Sequence, residues 1–92
     1  MKDSDTFESV WEALEDNSIR AMNLRLRSEL LIQITEAVDA LDMTQSKIAS
    51  KLGITQPRVC ALKQGKIEAF RLDSLVDIAH RLGLTVSLKI AA

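Results

Sequence analysis

Phe7, Val10, Trp11 and Leu14 stand at i, i+3, i+4 and i+7, the spacing that gathers side chains on one helix face. "TFESVWEALED" therefore predicts a short amphipathic helix, capped by Asp5 or Thr6, whose apolar residues dock on the domain's own core. A second start signal at Asn17 or Ser18 opens a long helical pattern to about Leu41. Its inward positions are Ile19, Met22, Leu26, Leu30, Ile34, Ala37, Val38 and Leu41. The rhythm then shortens. Thr44 can cap a helix Gln45–Leu52, Gly53 suits the left-handed residue after it, and Thr55 can cap a helix from Gln56 to Lys63 or Gln64. Pro57 is tolerated because it falls in that helix's first turn. Gly65 ends it, Ile67 and Phe70 anchor a loop, and Leu72–Leu82 predicts a last helix with Leu75, Val76, Ile78, Ala79 and Leu82 inward. After Gly83 the period changes to two. Leu84, Val86, Leu88 and Ile90 alternate with Thr85, Ser87 and Lys89, the pattern of a half-buried strand. Its backbone needs a second strand that the rest of the chain does not offer.

Ninety-two residues suffice for one small domain. The chain is 47% hydrophobic with two Phe and one Trp as its aromatics, so the core is aliphatic and the breakers are few, which favours helix. Cys60 and His80 are the single residues of their kinds, so neither an internal disulfide nor a Cys/His zinc site can be built, and no metal or cofactor is expected. No signal-peptide pattern and no membrane-length apolar run are present, which predicts a soluble, cytoplasmic protein with no membrane partner.

The formal net charge of −1 hides an asymmetry. Met1–Asp16 holds six acids and one lysine, whereas Met43–Arg71 holds Lys47, Lys51, Arg58, Lys63, Lys66 and Arg71 against Glu68 alone. Two short helices around a glycine turn, inside that basic stretch, match the demands of a helix-turn-helix. Ala49 is small where the helices must cross, Gly53 permits the turn, and Val59 points back into the hinge with Leu52 and Leu62. Helical geometry turns Pro57, Cys60, Ala61 and Gln64 outward, with Gln56, Arg58 and Lys63 flanking them.

A recognition helix of this kind reads bases from its N-terminal part. Gln56 suits adenine, Arg58 suits guanine or a phosphate, and Pro57 and Ala61 allow close approach. The base-reading set is thus Gln56, Pro57, Arg58 and Ala61. Gln45, Ser46 and Thr55, with Lys47, Lys63 and Lys66, are placed for the DNA backbone. An enzyme is the rival of another class, but His80 and Cys60 fall on different elements and no phosphate loop or acidic cluster accompanies them in the folded part. No catalytic residue is assigned.

The segment "MTQSKIASKLGITQPRVCALKQGKIEAFRLDSLVDIAHRLGL" resembles the Xre/Cro-repressor helix-turn-helix family. The "FESVWEALED…NLRLRSELL" lead-in and the "TQPRV…L..GK" core are similar to its HigA-type antitoxin branch. The resemblance implies an all-α, lambda-repressor-like domain of about five helices, to which the residue pattern adds a C-terminal strand that pairs across a dimer or, alternatively, with the sheet edge of a toxin. The chain then divides into an acidic arm 1–17, a helix-turn-helix domain 18–83, and a dimerisation strand and tail 84–92. Leu84, Val86, Leu88 and Ile90 would form the dimer face. In relatives the residues matching Gln45 and Gln56 contact the DNA backbone and a base. Arg71 stands where relatives tend to carry a Ser that caps the last helix. The family further implies a homodimeric repressor on inverted-repeat operator DNA, with half-sites about 34 Å apart or a multiple of that. The antitoxin branch would also neutralise a RelE/HigB-like ribonuclease toxin, for which Phe7, Trp11 and Glu12 on the acidic arm are the candidate contacts. The alternative is a stand-alone Xre-family regulator with no toxin partner.

Overall fold

The computed structural model describes the backbone of residues 2–92 and the side chains of residues 12–92. Four α-helices and one 3-10 turn follow in order: α1 Lys2–Asp39, α2 Gln45–Leu52, α3 Gln56–Lys63, the turn Ile67–Ala69, and α4 Leu72–Arg81. α2 and α3 form where their threonine caps predict them, and α4 begins at Leu72 as its apolar pattern predicts. Thr44 and Thr55 sit in extended conformation, and their hydroxyl oxygens accept from the Lys47 and Arg58 amides at 3.3 and 3.4 Å. Gly53 closes α2 at φ 68°, and its amide meets the Ala49 and Ser50 carbonyls. A side chain there would be strained by the left-handed backbone, and its Cβ would also lie 3.1 Å from the Arg81 guanidinium carbon. At Arg71 no side chain caps α4; Asp73 Oδ1 instead accepts from the Ser74 amide at 3.0 Å.

The two helices expected before Leu41 are one. Asn17 and Ser18 do not start a new helix, because nothing around them turns the chain. No Gly or Pro occurs before Gly53, and a mid-helix Asn or Ser costs only about 0.5–0.7 kcal/mol. At about 1.5 Å per residue a helix of this length accounts for the long dimension of a molecule measuring 62 × 30 × 17 Å.

Among the described side chains of α1, the core begins at Leu30. Leu31, Ile34 and Val38 are buried against Ile48, Ala49, Leu52, Val59, Leu62, Phe70, Leu75, Ile78 and Ala79, and Leu30 and Leu41 pack at the edge. Arg27 Nη1 donates to the Phe70 carbonyl at 3.4 Å and pins α1 to the loop before α4. Every side chain from Glu12 to Leu26 is exposed. Ile19, Met22 and Leu26, expected inward, lie on the part of α1 that runs past the domain. Leu14 is 55% exposed and does not dock on the core; Phe7, Val10 and Trp11 lie outside the described side chains. Val76 on α4, also expected inward, faces out.

Among the described residues there is no strand. Leu84 donates its amide to the Ala79 carbonyl at 2.9 Å and packs against the core. Beyond it Thr85–Ala92 carries no regular structure, and Leu88 and Ile90 are 85% and 83% exposed. Alternation marks a two-faced segment, but a ladder needs a neighbour, and a single copy has none. The first residues of this segment border an apolar groove of about 740 Å³, shared with Leu26 and Leu30 of α1 and Leu72 and Val76 of α4.

Candidate functional site

The α2–α3 pair is held by its inner faces. Ala49 is 7% exposed and Val59 wholly buried, with Leu52 and Leu62 closing the seam. This leaves the opposite faces and both helix N-termini in solvent. Gln45, Ser46 and Lys47 on the first turn of α2, and Thr55, Gln56 and Pro57 at the start of α3, are all exposed. Thr55 uses its hydroxyl oxygen as the cap acceptor, so its proton is free to donate outward. Lys63 ends α3 and Lys66 follows in the next loop, both exposed. Gln45, Ser46, Lys47, Thr55, Gln56 and Pro57 thus lie at the two exposed helix N-termini, and Lys63 and Lys66 lie at and beyond the far end of α3, with no acid in the first turn of either helix. Positive charge and outward N–H groups on one surface are what a polyanion needs.

Ala61 is half-buried and leans on the core, so it borders the surface instead of crowning it. Arg58 is half-buried as well. Its guanidinium carbon lies 4.6 Å from the centroid of the Phe70 ring, and it borders the cleft between α3 and α4 with Ser74, Asp77 and Arg81. One residue belongs with the outward set that the base-reading assignment leaves out. Gln64 is exposed, and its amide Nε2 lies 3.5 Å from the half-buried Cys60 Sγ one turn earlier. The signal was the spacing itself, since residues four apart share a helix face.

Among the described residues no group of three or more His, Cys, Asp or Glu side chains is placed to hold a metal, and no helix is long and apolar enough to cross a membrane. His80 is exposed on α4, and Cys60 is half-buried on α3. The exposed acidic residue Glu12 lies on α1, in the part of that helix outside the core.

A family model described as "Helix-turn-helix domain" matches residues 13–91. Among solved structures, a chain described as "Putative XRE Family Transcriptional Regulator" superposes with a TM-score of 0.73 at 27% identity, covering 79% of this chain and 82% of that one. A search of curated proteins gives no match.

Proposed function

The chain belongs to this helix-turn-helix domain family, and from that premise we propose that it is an XRE-type, sequence-specific DNA-binding regulator of transcription. The observation that carries the reading is the α2–α3 unit. Its Gly53 turn and Ala49/Val59 seam hold together two short helices whose N-termini are exposed, within a stretch of the chain rich in lysine and arginine. In this reading α3 enters the major groove, with Gln56, Pro57 and Ala61 toward the bases, and Cys60 and Gln64 further along the same face. Gln45, Ser46, Lys47, Thr55, Lys63 and Lys66 hold phosphates on either side. The likeness to the XRE-type structure supports the assignment.

Replacing Lys47, Lys63 and Lys66 together with Gln tests the phosphate contacts. Each lost phosphate contact lowers the slope of log affinity against log salt by about 0.9, so the triple variant is expected to lose about 2–3 in slope, for specific and random duplexes alike. An unchanged slope would remove these lysines from the interface.

The finer reading is a homodimeric repressor of its own operon that also serves as an antitoxin. Two features support it. Leu88 and Ile90 are apolar, exposed and in alternating register, and a two-fold axis lets such a segment pair antiparallel with its own copy. The Glu12–Leu26 stretch of α1 is unburied and follows an acidic start, which suits a basic partner such as a RelE/HigB-like ribonuclease, with Phe7, Trp11 and Glu12 as contacts. A stand-alone regulator is the competing reading. Co-expression with a small basic neighbouring gene product separates them: a complex that dissolves on deleting Met1–Asp16 supports the antitoxin, and no complex supports the regulator alone.

A further inference from the structure

Arg58 and Phe70 form a contact that helix periodicity does not reveal. From Val59 and Leu62 the buried direction of α3 is fixed, and steps of about 100° per residue place Arg58 on the flank, well away from Pro57 and Gln64. There its guanidinium lies over the Phe70 ring. Phe70 is itself immobilised. Its side chain is 1% exposed, its amide bonds the Ile67 carbonyl at 3.2 Å, and its carbonyl accepts from Arg27 at 3.4 Å. Among the described residues the Arg58 guanidinium has no ion pair and no side-chain hydrogen bond. Asp77 borders the same cleft but lies outside ion-pair distance.

A guanidinium held over an aromatic ring is attracted by the ring's negative face and keeps its N–H donors available to a further acceptor. Such a group is ordered before any ligand arrives, so little rotamer freedom is left to lose on binding. Its fork matches the two oxygens of a phosphate. Arg58 stands in the first turn of α3 but on its flank, beside the cleft toward α4 and off the outward face that carries Pro57 and Gln64.

We propose that Phe70 is a positioning residue for DNA binding, holding Arg58 as a preset phosphate clamp at the edge of the recognition helix and not as a reader of bases. This rests on the DNA-binding reading above. It also recasts a residue that the sequence pattern groups with the base contacts.

The test uses the full chain, a random 20-base-pair duplex pool, and one duplex selected from that pool by the wild-type protein. Arg58→Ala is expected to weaken both targets by the same factor, about ten- to a hundredfold, with the salt slope falling by about 0.9 and the selected sequence unchanged. Phe70→Leu is expected to cost about fivefold in affinity in the wild-type background and nothing further in the Arg58→Ala background, at a temperature where circular dichroism shows the variant folded. Arg58→Lys covers the case in which Phe70→Leu does not fold. It keeps the charge but not the flat fork, and is expected to fall nearer Ala than wild type in affinity. An altered base preference for Arg58→Ala, equal losses for Phe70→Leu in both backgrounds, or a Lys variant that binds like wild type would each overturn the proposal. A wild-type chain that selects no duplex would instead overturn the DNA-binding reading itself.

Discussion

Leu88→Asp combined with Ile90→Asp is expected to give a monomer in solution and to lower operator affinity by about two orders of magnitude or more, with a thermal melt close to wild type. The folded single chain does not use these side chains, which are 85% and 83% exposed, so their replacement removes nothing from the core. Two recognition helices joined by a two-fold axis bind a palindrome as one ligand. Separating them turns the second contact from an intramolecular event into a bimolecular one, and the effective concentration supplied by the linkage is lost. The choice of residues matters. Cutting the chain after Gly83 would also remove Leu84, whose amide bonds Ala79 and whose side chain packs on the core, and would confound dimerisation with stability. Sedimentation equilibrium and a shift assay on the selected duplex give the two readouts. A double variant that remains dimeric, or binds as wild type, removes the tail from the interface.

Leu62→Ala should destabilise the domain by about 3 kcal/mol, within the usual range for a buried leucine truncated in place. Leu62 is wholly buried between α3 and the rest of the core, as are Val59, Ile48 and Leu75. A domain of this size holds roughly 5–14 kcal/mol in total, so a large share of its stability rides on one side chain. The melting temperature should fall by on the order of 15 °C. The same change at Leu24, which is 40% exposed on the part of α1 outside the core, should change the stability by about 0.5 kcal/mol or less. Calorimetry on the two variants decides the matter, and equal shifts would contradict the core described here.

The short helices could be read in the sequence because each carries its own punctuation. Thr44 and Thr55 open α2 and α3, and Gly53, Gly65 and Gly83 take positive φ after α2, α3 and α4. The seam of Ala49, Leu52, Val59 and Leu62 was legible for the same reason, since helical spacing with small and branched residues describes a crossing. The long helix was harder. Asn17 and Ser18 resemble a start, but a cap ends nothing unless the chain turns before it. Periodicity also cannot say how far the domain extends along a helix, so Ile19, Met22 and Leu26 carried an inward pattern with no core beside them. The C-terminal alternation predicts a strand, but among the described residues Thr85–Ala92 carries no regular structure, and pairing is a property of two strands that one copy does not supply. Within the site, exposure of Gln56, Pro57 and the lysines followed from the helix alone. The stacking of Arg58 depended on Phe70, which comes from another element, and no local pattern contains that contact.

The central claim is that α3 reads duplex DNA through its exposed N-terminal face. The most direct test is a selection from a random duplex pool, carried out in parallel with wild-type protein and with Gln56→Ala, a change at an exposed residue that leaves the fold intact. Wild type is expected to enrich an inverted repeat. Gln56→Ala is expected to enrich the same repeat with preference lost at one symmetric pair of positions, a discrimination of about 1–3 kcal/mol per base pair. Identical preferences for the two proteins, or no enrichment by wild type at all, would contradict it.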